Sequence, residues 1–226
     1  MAGFFRLHQR GIVRILAEYN IIMDEILLVG AGGHCKSVID VARRAGRSLL
    51  GILDRPGGDG GMLLDCPIIG TDDDMSRYAD RVEFLVSVGA IGCASTRIRL
   101  YDRIKSVGGR MATLISPSAC VSCYAEVGDG TIVMHRAVIN ASAVVGVNCI
   151  INTGADIEHD TTIGDHTHIS TGAMINGGCR IGSGVFVGSG AVLAQGVSVA
   201  DGAVIGAGAV VLRSILAPGT YYGIVK

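Results

Sequence analysis

The sequence predicts a small Rossmann-like βαβ domain at the N-terminal end, followed by a left-handed parallel β-helix of about five coils. Three observations carry that reading. From Ile115 to Val210 the chain divides into consecutive sixes without an insertion, each opening on an aliphatic residue. Over the same stretch only nine residues are Asp, Glu, Lys or Arg. Ahead of it, an apolar run passes through a glycine turn into an amphipathic stretch, the pattern of a strand, a tight turn and a helix.

Taken in order, residues 1–22 read as an extension, either helical, disordered or upstream of a natural start at Met23. They lack a long apolar core followed by a small-residue cleavage site, so a secretory signal is not expected. The α/β domain is placed at 23–112. "EILLVGAGGHCKSVIDVARRAG" runs from the apolar Ile26–Val29 through Gly30, Gly32 and Gly33 into a helix pattern. Such glycines let a backbone approach a phosphate, and a helix start offers free N–H groups to an anion. The spacing is not GxGxxG, and a ligand-free βα turn reads the same way. A second strand, Leu49–Leu53, ends in Asp54, 24 residues after Gly30, where an acid can meet a ribose or a base edge. "EFLVSVG" supplies a further strand and "STRIRLYDRIKSVG" a helix.

The β-helix is placed at 113–213. Its hexads run ISPSAC, VSCYAE, VGDGTI, VMHRAV, INASAV, VGVNCI, INTGAD, IEHDTT, IGDHTH, ISTGAM, INGGCR, IGSGVF, VGSGAV, LAQGVS, VADGAV, IGAGAV. All 16 first positions are Ile, Val or Leu, and all 16 fifth positions are Ala, Thr, Cys or Val. One aliphatic and one small residue per six suits short strands stacked coil on coil, the aliphatics forming interior ladders and Gly or Asn allowing tight corners. At ~4.8 Å per stacked strand the prism stands roughly 25 Å tall. Residues 214–226 read as a tail.

Composition narrows the partners. A formal charge of −1 leaves no basic excess for nucleic acid or an anionic membrane surface, and no apolar run approaches the length of a membrane span. Small metabolites and protein partners are the expected ligands. Seven scattered cysteines fit reduced thiols in the cytoplasm better than a disulfide framework. Cys120 and Cys123 form a CxxC, but no second pair accompanies it as a zinc site requires. The charge that the repeats do carry concentrates in "DIEHDTTIGDHTHIS", which holds Asp156, Glu158, Asp160 and Asp165 with His159, His166 and His168.

The hexads resemble those of the left-handed β-helix acyltransferase superfamily. The order of the two parts, with "LLVGAGGH", "LD" at Leu53 and Asp54, and "INTGADIEHDTTIGDHTHISTGAMINGG", resembles the nucleotide-sugar N-acetyltransferases of the bacillosamine-pathway and perosamine type, with sialic acid O-acetyltransferases as relatives. That resemblance implies an acetyl-CoA-dependent enzyme acting on a nucleotide-linked amino sugar in cell-surface glycan biosynthesis. It implies a cytoplasmic homotrimer whose active sites lie between subunits. By the same resemblance His159 is the general base, followed by Asp160 where the family commonly has Glu, a shorter reach to the imidazole. Asn152, His168 and Gly177 match residues around the acetyl group, Gly177 offering a backbone N–H to the thioester oxygen. Gly30, Gly32, Gly33, His34, Lys36 and Asp54 fall in the part that binds the nucleotide sugar. Members commonly end in Gly-x-Pro-Ala-Lys/Arg; this chain ends "PGTYYGIVK", leaving Arg213 and Lys226 as candidate contacts to the phosphates of CoA.

Other readings are weaker. Outward histidines on a β-helix are usually solvated, and that reading is kept for His166; His135 is either a pocket residue or simply exposed or packed. Metal-dependent hydration on this fold needs histidines about two coils apart, but the positions 36 residues from His159 are Cys123 and Gln195, so no metal is expected. A nucleotidyltransferase opening, LxxGxGTRM, is absent. Sugar O-acetylation and a non-catalytic scaffold remain as alternatives to N-acetylation.

Overall fold

The computed structural model describes residues 25–55 and 61–226; the extension read at 1–22 lies outside them. The N-terminal sheet has six strands, β1 (Glu25–Val29), β2 (Ser48–Asp54), β3 (Met62–Leu63), β4 (Cys66–Thr71), β5 (Glu83–Val86) and β6 (Arg110–Met111), in the order β3-β4-β2-β1-β5-β6. All neighbours are parallel except β3 with β4. Ile26 to Val29 are fully buried, because a parallel sheet is covered on both faces and its central strand is apolar throughout. On one face lies helix α1 (Gly33–Arg44), and on the other helix α2 (Ser95–Ser106) with a 3₁₀ turn at Asp72–Arg77. The basic Arg43 and Arg44 sit in the last turn of α1, where they complement its dipole.

From Leu114 the chain winds as a left-handed parallel β-helix of two-residue strands, one every six residues. Each strand pairs with the one 18 residues on, as Ile132↔Ile150 and Val133↔Ile151 do. Three faces result, with seven, seven and five strands. Inward-facing Val133, Ile151, Ile169, Val187 and Ile205 stack on the first face, and Ile139, Ile157, Ile175, Leu193 and Val211 on the second; all are buried. Small fifth-position residues, Ala155 and Cys179 among them, fill the corners behind them. From Gly130 onward the fourth position takes a left-handed backbone, at Gly154 and Gly178 but also at Asp160 and His166 (both φ 60°). Ile115 begins its ladder with no rung beyond and is 38% exposed.

The stack extends beyond the sixteen regular hexads. Ile215 bridges to Val199, Thr220–Tyr221 pairs with Val204–Ile205, and Ile224–Val225 pairs with Val210–Val211. The segment from 214 onward therefore carries the final rung. Seven stacked strands at ~4.8 Å give a column roughly 29 Å tall.

The two parts share a core. Helix α1 is sandwiched between the sheet and the first prism face, its Cys35, Val38 and Ile39 in one cluster with Leu114, Ile132 and Met134. Arg97 of α2, 1% exposed, crosses the same boundary. Its Nε donates to Asn148 O (2.9 Å) on the prism, and its Nη1 donates to Val86 O (2.6 Å) and Val88 O (2.9 Å) beside the sheet. Among the described residues no helix is long and apolar enough to cross a membrane.

Candidate active site

The corner between the second and third prism faces carries His159. Its Nδ1 lies 2.7 Å from Asp160 Oδ2. A carboxylate accepts only, so Nδ1 holds the proton and Nε2 keeps its lone pair. Asp160 reaches the ring despite its short side chain because its backbone is left-handed, a conformation that Asp adopts at lower cost than most residues. Both side chains are open, at 57% and 66%. The Asp160 hydrogen bond raises the imidazole's affinity for a proton above the ordinary value, partial desolvation lowers it, and the charges of Asp160 and Glu158 add to the rise.

Gly177 lies one coil further on, against the same ring. A Cβ there would sit 2.8 Å from both His159 Cε1 and Nε2, so the residue must be glycine for the imidazole to keep its place. No group among the described residues accepts from the Gly177 N–H.

Asn152 and His168 belong elsewhere on the prism, Asn152 at the corner between the first and second faces and His168 on the outside of the first. His168 Nδ1 donates to Ala90 O (2.8 Å), and its Nε2 accepts from Asn152 Nδ2 (3.1 Å). Burial lowers its pKa to about 4, so it is a neutral imidazole with both nitrogens engaged. Ala90 belongs to the loop after β5, which ties this corner to the α/β domain. The five prism residues matched to the reaction centre thus divide into two groups within one chain: His159, Asp160 and Gly177 at one corner, Asn152 and His168 at another.

A cavity of about 540 Å³ opens at the carboxyl ends of β1 and β2, where ligands of open α/β sheets bind. Gly30, Gly32 and Asp54 line it, together with Arg55, Asp72, Thr96 and Arg99. Gly30 has φ +103° and would press a Cβ into Val88, so this turn admits only glycine. Asp54 Oδ1 accepts from Ala31 N–H (3.2 Å), pinning the turn and leaving its second oxygen without a partner among the described residues. Gly33 and Lys36 are exposed at the start of α1 but do not line the cavity. His34 turns inward. Its Nε2 is buried without a partner among the described residues, and burial, with Arg97 and His168 nearby, lowers its pKa to about 3.

Three groups emerge that the sequence reading did not single out: Arg55 and Arg99 in the cavity, and the buried Arg97 at the boundary between the two parts. Arg97 takes the first place of the buried stripe Arg97, Leu100, Ile104 on α2, the signal that could have marked it as interior. Two further histidines, His135 and His166, pack between the two parts. His135 bridges Ser116 Oγ (2.7 Å) and Asp40 Oδ2 (2.9 Å), linking α1 to the prism. His166 contacts Asn148 (3.0 Å) and the edge of Tyr101. No group of three His, Cys, Asp or Glu side chains among the described residues could hold a metal ion.

Comparison with known proteins assigns both parts. A family model described as the PglD N-terminal domain matches residues 25–104, and one described as bacterial transferase hexapeptide (six repeats) matches residues 178–213. The acetyltransferase domain of PglB from Neisseria gonorrhoeae, also solved with acetyl coenzyme A, is 32% identical with a TM-score of 0.82, covering 88% of this chain and 97% of that one. A histidine-to-asparagine variant of perosamine N-acetyltransferase from Caulobacter crescentus, solved with CoA and GDP-perosamine, is 29% identical with a TM-score of 0.83, covering 88% and 93%. WeeI from Acinetobacter baumannii shares the fold at 24% identity (TM-score 0.78; 88% and 96% covered). No curated protein sequence matches. With its likeness to the PglB domain extending over nearly all of that domain, the chain belongs to the hexapeptide-repeat acetyltransferases with a PglD-type N-terminal domain.

Proposed function

We propose that the protein transfers an acetyl group from acetyl-CoA to the amino group of a nucleotide-linked amino sugar, with His159 as general base. The observation that carries this is the His159 pair: an open imidazole whose Nδ1–H is held by Asp160 and whose free Nε2 lies against Gly177. In the reaction the amine attacks the thioester carbonyl, forming the C–N bond. Its surplus proton passes to His159 Nε2, and the Asp160 carboxylate stabilises the imidazolium. The Gly177 N–H donates to the oxyanion. Collapse breaks the C–S bond, and the thiolate recovers the proton from His159. No acyl-enzyme is needed.

The separation of the two residue groups supports a homotrimer with each site between subunits. A corner bearing His159 can face the Asn152 and His168 corner of a second copy, which a single chain cannot arrange for itself. The cavity at Gly30, Gly32 and Asp54 would hold the nucleotide, with the glycine turn and Arg55 or Arg99 toward the diphosphate. His168, locked neutral, is suited to position the acetyl donor rather than to exchange protons.

Incubation with acetyl-CoA and a panel of UDP-, GDP- and dTDP-linked amino sugars plus free sialic acid should give an acetylated amino sugar by mass, and His159→Ala should lower turnover by ~10²-fold or more. Acetylation of sialic acid alone, or undiminished turnover in that variant, would refute the assignment.

A further inference from the structure

Three acids open the 3₁₀ turn after β4, and two are accounted for. Asp73 pairs with Arg103 (2.6 Å), and Asp74 accepts from Thr71 N–H (2.9 Å) while pairing with Arg77 (2.8 Å). Asp72, half-buried, has no hydrogen bond or ion pair among the described residues and faces the cavity that also holds Asp54. Burial raises its carboxyl above the ordinary range, Arg103 and Arg99 draw it back, and the charges of Asp54 and Asp73 add to the rise. Two carboxylates near each other in one lining, Asp54 and Asp72, repel a diphosphate and suit an uncharged group rich in donors, leaving the phosphates to the glycine-turn N–H groups and an arginine of the same cavity.

Resting on the reading of this cavity as the nucleotide site, we propose that the nucleotide is a guanosine diphosphate and that Asp72 reads the guanine. Guanine presents N1–H and N2–H₂ side by side, and the two oxygens of one carboxylate accept both. The uracil edge instead sets its single N3–H between two carbonyl oxygens. A carboxylate facing it gains one bond and brings its second oxygen against a lone pair. Thymine has the same edge. The acceptors O6 and N7 of guanine are in turn suited to a guanidinium, and of Arg55 and Arg99, which line the same cavity, the one not turned to the diphosphate supplies it. Asp54, with one oxygen held by Ala31 N–H, is left for the ribose hydroxyls.

The test is calorimetric titration of the full chain with GDP, UDP, dTDP and xanthosine diphosphate. The wild type should bind GDP about tenfold or more tightly than UDP or dTDP. Asp72→Ala should remove that preference, bringing the GDP and UDP dissociation constants to within about threefold of each other by weakening GDP. Asp72→Asn should transfer the preference to xanthosine diphosphate, since an amide accepts from N1–H and donates to the O2 that replaces the amino group. A purely structural role for Asp72 would not produce that exchange. UDP binding as tight as GDP, or a GDP preference that survives Asp72→Ala, overturns the proposal. If a UDP-linked amino sugar is acetylated efficiently, the acetyltransferase reading stands and only the base assignment falls; if no nucleoside diphosphate binds, both fall.

Discussion

Replacing Arg97 with Met should destabilise the protein by about 4 kcal/mol, and the structure shows why. Three short bonds leave the guanidinium for Asn148 O, Val86 O and Val88 O, at 2.9, 2.6 and 2.9 Å. Hydrogen bonds from a charged donor are worth ~1.5–3 kcal/mol each, so their loss removes roughly 5–9 kcal/mol. Against this stands the cost of burying a cation with no ion pair among the described residues, visible in the fall of its pKa to about 10. A fall of that size corresponds to a cost on the order of 3 kcal/mol, which is recovered when the charge is removed. Met fills a similar volume, so cavity formation adds little. Because the acceptors lie in both parts of the molecule, the variant should also lose cooperativity between them. Urea denaturation followed by circular dichroism measures both effects, and Arg97→Lys, keeping the charge without the fork, should fall between. A stability within ~1 kcal/mol of wild type would mean that desolvation cancels the bonds, refuting their role in holding the two parts together.

Asp160→Asn should move the acid limb of the kcat/KM profile to lower pH and reduce its plateau, because the carboxylate raises the His159 pKa and the base must be neutral to work. An unchanged limb would remove Asp160 from the mechanism. Gly177→Ala should lower kcat by ~10-fold or more with the fold intact, since its Cβ displaces the imidazole at 2.8 Å while its backbone is not left-handed; steady-state kinetics beside a melting curve separates the two effects. Thermal stability should fall as pH drops from about 6.5 toward 4. His34 and His168 have folded-state values of about 3 and about 4, so over that window the unfolded chain binds more protons than the native one. His34→Gln should show a shallower decline in melting temperature over the same range, and an identical slope would remove His34 from the account.

The ladders were legible because their period is local: one aliphatic every six residues states where each strand lies and which side chain points inward. The final rung was not, because after Arg213 the spacing breaks, and Ile215, Tyr221 and Val225 rejoin the ladders only through loops of unequal length. His159 and Asp160 could be read from their motif, but their contact depends on a left-handed φ at a position that glycine also fills in other coils. The distance between His159 and His168 was the hardest to see. Nine residues separate them in sequence, yet in a coil of 18 residues that is half a turn, and it carries them to different sides of the prism. Adjacency here runs at intervals of one coil, which is why Gly177 meets the ring of His159 while His168 does not. The histidine cluster is thus a feature of the written sequence alone: folding disperses it, giving His159 to the open corner, His168 to the domain boundary and His166 to Tyr101. On the proposed reading, a reaction centre built from those parts takes a second copy of the chain, so a monomeric variant that keeps its fold should retain nucleotide binding in the cavity and lose acetyl transfer.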